Sequence, residues 1–182
     1  MGFASAHSPA LLLTAVTSRH PDALAWANRR AQEAWGPLGL VSPVFDFTET
    51  DYYRLAMGER LKKQFLAFQR PFDPAELAEI KLATNAWEAE YTEEAGHAEP
   101  RPLNLDPGYL TPAKLVLAST KDHSHRIYLS QGVYAEVTLH YQSGAWQPRE
   151  WTYPDYRRAD FHEFFLQLRR ELQARQRGGA QA

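Results

Sequence analysis

From His125 to Tyr141 the chain alternates apolar and polar side chains on both sides of Gln131-Gly132. Period-two alternation around a glycine is the pattern of an antiparallel hairpin with one face buried. Two registers compete. With Gln131-Gly132 as a two-residue turn, Leu129 faces Tyr134 and Ile127 faces Glu136, mixing apolar and polar side chains on each face. With Ser130-Gln131-Gly132 as a three-residue loop, Gly132 takes the left-handed bulge position. Ile127, Leu129, Val133, Ala135, Val137 and Leu139 then share an apolar face, and Arg126, Tyr128, Tyr134, Glu136, Thr138 and His140 share the other. A one-residue slip would reverse a whole strand, so the pattern selects the three-residue loop. It pairs Arg126 with Glu136 and Tyr128 with Tyr134 across the strands.

The rest of the chain supplies the other layers. Leu11 to Thr17 is a short apolar run of the buried-strand kind. Pro21-Asp22 starts a helix with Leu24, Ala27, Ala31, Ala34 and Trp35 on one stripe, ended by Gly36-Pro37. Leu40 to Phe47 reads as a strand with an edge or bulge at Pro43. Thr48 to Gly58 reads as a short helix capped by Thr48 and stopped by Gly58. Phe65 to Phe68 reads as strand or helix. Asp73 caps the clearest helix, with Pro74 at N1, Glu76 at N3, Leu77, Ile80, Thr84, Trp87 and Tyr91 in phase, and Gly96 as the stop. His97 to Pro102 is a polar loop. Thr111-Pro112 opens another short helix by the same cap-then-proline logic. Phe161, Phe164, Phe165, Leu168 and Leu172 stripe the last helix.

These elements predict an α/β (α+β) sandwich. The expected form is a single domain with a mixed, largely antiparallel sheet, ferredoxin-like in its simplest version, closed by a C-terminal amphipathic helix. The domain is expected over 1–176, with 177–182 a frayed, Gly-rich tail.

Composition excludes several functions. The 182 residues contain no cysteine, which removes disulfides, thiolate metal sites and thiol nucleophiles. A formal net charge of -2, with the cations spread along the chain, makes DNA an unlikely partner and gives RNA little to hold. Pro9 to Val16 is too short to span a bilayer and lacks a signal peptide's basic start, so a cytoplasmic protein without membrane contact is expected. No GxxxxGK[ST], GxGxxG after a strand, GxSxG or HExxH is present. Thr120-Lys121-Asp122 lacks the spacing of a guanine-reading NKxD element, because its Lys and Asp are adjacent.

Chemistry concentrates between Asn104 and Tyr156. Asp106-Pro107-Gly108 carries the residues of a type II turn. It reads either as a turn alone or as a carboxylate held beside the N-terminus of the Thr111 helix, where an anion could bind. Lys121-Asp122-His123-Ser124-His125-Arg126 gathers the side chains that acid–base or phosphoryl chemistry uses. His125 suits a general acid or base, its pKa lying near neutrality. A His123–His125 metal pair would still need a third ligand from Asp106, Asp122 or Asp46, and no metal is assigned. Asp46 lies between Phe45 and Phe47 at a strand end. Trp151-Thr152-Tyr153-Pro154-Asp155-Tyr156 is either a packed connection or one wall of a pocket.

FDFTETDYY with the following MGE, NLDPGYLTPAKLVLASTKDHSHRIYLSQGVYAEVTLHY and WTYPDY together resemble a prokaryotic family of unknown function, numbered 4416, over nearly the whole chain. The resemblance implies a single-domain length and assigns no activity and no cofactor. Some relatives carry a GTP-binding label, for which these residues offer no phosphate loop. In that family the position of His123 is often aromatic while SHRIYL is typical, which favours His125 over a His123–His125 pair.

Two functions follow from the residues. One is an enzyme of undetermined class acting on an anionic or phosphate-bearing small molecule: Asp106 is a carboxylate base or orienting group, His125 the acid–base residue, and Lys121 with Arg126 the anion clamp, with Asp46, Tyr153 and Asp155 near the ligand. The other is a binding module that meets a ligand or an unidentified protein partner through Arg126, Tyr128, Tyr134 and Glu136. Nucleotide (GTP) or RNA binding is the third reading. The enzyme reading requires Asp106, Lys121 and His125 to converge in a concave pocket.

Overall fold

Leu11–Ser18 is buried along its whole length and forms the central strand, β1. A strand with both faces apolar needs a layer on each side, and the computed structural model, which describes residues 2–3, 6–49 and 53–179, provides both. In chain order β1 is followed by α1 (Pro21–Trp35), β2 (Leu38–Val41), β3 (Phe45–Phe47), α2 (Arg54–Met57) and β4 (Leu61–Pro71). Next come α3 (Leu77–Ala95), β5 (Asn104–Leu110), β6 (Lys114–Ser119), β7 (Ile127–Ser130), β8 (Val133–Gln142), β9 (Ala145–Pro148) and α4 (Ala159–Gly179).

One open sheet runs in the order β2-β4-β1-β5-β6-β8-β7, with β3 added to β4 and β9 to β8. Each of these pairs is antiparallel. The first six main elements, β1-α1-β2-β4-α3-β5, with strand order β2-β4-β1-β5, make the expected ferredoxin-like unit. β6 to β9 widen that unit on the β5 side. α1 and α3 cover one face, packing Ala27, Ala31, Ile80 and Trp87 against Leu12, Val16, Leu66 and Leu105. α4 covers the other, packing Phe161, Phe164, Phe165, Leu168 and Leu172 against Leu13, Phe65, Leu110 and Leu117.

The starts and stops follow local chemistry. The Asp73 carboxylate accepts the Ala75 N–H at 2.9 Å, Pro74 follows it, and Gly96 ends α3 in the left-handed region at φ 65°. Residues 74–76 form a 3-10 turn before α3 proper. Pro43 separates β2 from β3 instead of interrupting one strand. In α1 the buried stripe is Ala23, Ala27 and Ala31, one residue round from the expected stripe, and Ala34 is exposed. The helix read from Thr48 is confined to α2 and stops at Gly58; residues 50–52 lie outside the described ones. α4 continues through Gly179, and residues 180–182 lie outside the described ones.

Three sequence readings are corrected. Thr111-Pro112 opens no helix: the Thr111 hydroxyl accepts the Ala113 and Lys114 N–H groups and closes the β5–β6 turn. The same Oγ that would cap a helix here caps a turn. Asp106-Pro107-Gly108 is no turn either, because all three lie within β5. The β7–β8 hairpin has the expected Tyr128–Tyr134 and Ile127–Ala135 pairs but not the expected loop. Gln131 and Gly132 both take positive φ, 52° and 76°, so the turn has two residues, and the extra residue falls as a bulge at Leu129.

A second bulge lies between β6 and β8 around Thr138. It moves Leu139 to the α4 face while Val133, Ala135 and Val137 stay toward α3, so the single apolar face read from the sequence divides in two. Ile127 and Leu129, on the outer strand β7, are exposed.

Candidate functional site

The site begins with a break in the ladder. β5 pairs with β6 only through Gly108, Tyr109 and Leu110. The pairing ends beside Pro107, which has no N–H to give a neighbouring strand. Asn104 to Pro107 stay on β1, while Ala118 and Ser119 stay on β8. The two strands part, and a cleft of about 390 Å³ lies where they do.

Side-chain alternation aims polar groups into it. Lys63 is in phase with Phe65 and Ala67, Asp106 lies opposite Ala15, and Glu136 lies opposite Leu117, all on the α4 face. Lys81 and Asn85 reach the cleft from α3, Arg101 from the loop before β5, and Tyr153 to Tyr156 from the approach to α4. Lys63, Lys81, Arg101, Lys121 and Arg126 thus line it against three carboxylates, Asp106, Glu136 and Asp155.

Asp106 is held from two sides. Its Oδ1 lies 3.4 Å from Lys81 Nζ, and its Oδ2 accepts the Asn104 amide at 2.7 Å. Lys81 also donates to the Leu105 carbonyl at 2.8 Å. Burial raises the Asp106 pKa, but Lys81, then Lys63, the Asn104 hydrogen bond and Arg101 outweigh it and leave the carboxyl below its usual value. The sign for stability follows. With its folded pKa depressed, ionised Asp106 adds stability above the ordinary value of 3.8, and that contribution is lost as pH falls through the lower folded value. The stability difference between wild type and Asp106→Asn is therefore expected to shrink in urea titrations as pH falls from the ordinary value of 3.8 through the lower folded value; a constant difference would contradict the depressed pKa.

Two buried ion pairs brace the walls. Lys63 Nζ donates to Asp155 Oδ2 at 2.5 Å and lies 4.3 Å from the Phe47 ring centre. Arg126 spends its whole guanidinium on the rim. It donates to Glu136 at 2.9 Å, to Ser119 Oγ at 2.7 Å, to the Lys121 carbonyl at 2.9 Å and to Tyr153 Oη at 2.7 Å. Beneath, Arg101 holds Glu88 at 2.7 Å and also donates to Asn104 Oδ1. Burial pushes the Glu88 carboxyl up even with Lys81 and Arg101 beside it. Burial likewise raises the phenols of Tyr53, Tyr153 and Tyr156, so all three stay neutral donors. The Tyr156 hydroxyl is buried with no hydrogen-bond partner among the described residues.

A family model described as Domain of unknown function (DUF4416) matches residues 8–172. The chain belongs to the DUF4416 family. No curated protein and no solved structure matches it.

In this DUF4416 chain, Asp106, Lys121, Arg126, Glu136, Tyr153 and Asp155 come together at the cleft. His125 stands behind it: Nε2 lies 3.2 Å from Glu136, and the ring stacks on Trp151 at 5.1 Å. His123 lines the cleft instead. Tyr128 and Tyr134 meet edge-to-face at 5.4 Å but lie away from the cleft, and Asp46 pairs with Lys62 at the surface. The face read as ligand-binding divides accordingly. Glu136 and Thr138 are buried, whereas Tyr128 is exposed.

Lys63, Lys81, Arg101, Asn104 and Tyr53 were absent from the sequence reading of this DUF4416 site. A signal existed for the lysines, each a charge in phase with apolar neighbours: Lys63 two residues before Phe65, and Lys81 four after Leu77 and beside Ile80. A charge on a buried stripe requires a partner. No helix among the described residues is long and apolar enough to cross a membrane.

Proposed function

We propose that the cleft binds a small anionic molecule, a phosphate-bearing one foremost, and that Asp106 acts on it as an ionised carboxylate base. The observation that carries this is the lining: five cations face three carboxylates, with neutral phenols among them. Lys81, Arg101 and Lys121 make the anion clamp, and Arg126 positions the rim. Asp106 keeps its charge through Lys81 and Lys63, so at neutral pH it is in the proton-accepting form and holds no proton to give as an acid. His125 acts through Glu136 as a positioning residue.

The test is a thermal-shift screen against inorganic phosphate, sugar phosphates and nucleotides, GTP among them, followed by calorimetry on any stabilising compound. Lys121→Ala, at an exposed position, is expected to weaken binding of such a compound about tenfold, the loss of one charge-assisted contact. Asp106→Asn is expected to keep the binding and lose turnover. A screen in which no anion stabilises the protein would overturn the reading.

One observation favours a second function. The outer strand β7 exposes Ile127 and Tyr128, 71% and 58% accessible, beside Leu129. An exposed apolar edge suits a protein partner that adds a strand to the sheet, and a flat ligand screen would shift weight to it.

A further inference from the structure

The ends of two helices bring a separate set of donors together, far enough along the sheet that none of them lines the cleft. His20 precedes α1 at its N-cap position and Asp22 lies in the first turn. His97 follows Gly96, whose left-handed backbone ends α3. One donor atom from each of the three lies within 4.8 Å of the others. Glu99 meets His20 from the same loop but stands outside that mutual spacing. His20 Nε2 is 3.0 Å from Glu99 Oε2, and His97 Nε2 is 3.1 Å from Asp22 Oδ2. The two imidazoles stack at 3.6 Å between ring centres.

We infer that His20, Asp22 and His97 form a divalent transition-metal site of the zinc class, with Glu99 beside it as the ion-pair partner of His20. Two imidazoles and one carboxylate are a borderline-hard donor set that zinc accepts, with metal–ligand bonds of roughly 2.0–2.2 Å and a fourth position left to water. Ligands of one tetrahedral ion stand about 3.3 Å apart on that geometry, and the His97–Asp22 distance is already close to this. The group also has orienting partners of the sort metal ligands use. The Tyr91 hydroxyl donates to Asp22 Oδ2 at 2.8 Å, and Arg19 donates to Glu99 Oε1 at 2.9 Å. The Asp22 side chain is 64% accessible while His20, His97 and Glu99 are largely covered, so an ion enters past Asp22. Bound there, it would clamp the start of α1 to the segment after α3.

The site is tested on untagged protein stripped with EDTA, dialysed against zinc chloride and assayed for metal content, with calorimetry and melting temperature alongside. Wild type is expected to bind one zinc per chain and to melt higher with zinc than without. Asp22→Asn, an isosteric change at an exposed position, is expected to weaken zinc binding at least tenfold while lowering the metal-free melting temperature by only about 2–4 °C, the loss of one charge at a helix start. His97→Ala is expected to abolish stoichiometric binding, and His123→Ala to leave it intact. Absence of stoichiometric zinc in wild type overturns the site. So does undiminished binding in Asp22→Asn and His97→Ala, or loss of binding in His123→Ala.

Discussion

Replacing Lys63 by Met is expected to destabilise the protein by about 3–5 kcal/mol, the cost of stranding one partner of a buried ion pair. The Lys63 and Asp155 side chains are only 5% and 6% accessible, and their charged atoms meet at 2.5 Å. Methionine fills most of the lysine volume, so the loss is electrostatic and leaves no large cavity. Asp155 would keep a carboxylate in a pocket walled by Phe47 and Tyr156, with its ammonium gone. For a chain of this size each kcal/mol lowers the melting temperature by roughly 2–4 °C, so a fall of about 10 °C is expected. Replacing both residues, Lys63→Met with Asp155→Leu, is expected to recover most of the loss, because an apolar pair of similar volume removes both desolvation costs. The double-mutant cycle isolates the coupling. A single-variant loss below about 1 kcal/mol would mean that water reaches Asp155 and that the pair is effectively a surface one. The variant should also be felt at Asp106. Lys63 is among the charges that lower its pKa, so the acid limb of Asp106 should move back toward its ordinary position.

This pair also marks the limit of what the sequence discloses. Local rules are enough where one residue type decides: Asp73-Pro74 starts the 3-10 turn that leads into α3, Gly96 ends α3, and the spacing of Phe161 to Leu172 sets the buried face of α4. They reach the ferredoxin-like form too through the patterns of β1, α1 and α3, whereas Phe65 to Phe68 fits strand or helix by itself and only the sheet makes it part of β4. They mislead where one local chemistry serves two backbones. Thr111-Pro112 offers the same hydroxyl to a helix or to a hairpin turn, and only the pairing of β5 with β6 chooses between them. At the site, Asp106, Arg126 and Glu136 were legible because they fall in one dense stretch. Lys63 and Lys81 are 43 and 25 residues away from Asp106 in the chain, and only the crossing of β4 and α3 brings them to it. The hairpin shows the same division. Its cross-strand pairs follow from alternation, whereas the bulges at Leu129 and near Thr138 depend on neighbouring strands and decide which residues end up buried.

The motif Asn104-Leu105-Asp106-Pro107-Gly108-Tyr109 carries the second large effect. Gly108→Ala is expected to cost about 3 kcal/mol, although Gly108 has no positive φ and lies in the middle of a strand. A Cβ built there would lie 2.2 Å from the Val116 carbonyl oxygen and 2.8 Å from a Leu117 methyl carbon. The nearer atom is backbone and cannot rotate away. To admit the methyl group, β6 must move off β5 at Gly108–Leu117, the last pair before the two strands part. Proline ends the ladder at that point, and glycine lets the strands stay close up to it. Together they hold Asp106 in the opening, two residues beyond the last β5–β6 pair. Alanine would therefore act on the cleft as well as on stability, carrying Leu117 and its neighbours Ala118 and Ser119 away from Asp106. Urea unfolding gives the first effect, and affinity for whichever anion stabilises the wild type gives the second. A Gly108→Ala protein of wild-type stability would mean that the strands separate at little cost, and that this glycine does not hold the cleft in shape. If stability falls as expected while affinity is unchanged, the close approach serves the sheet alone and Asp106 is positioned by Lys81 and Asn104 without it.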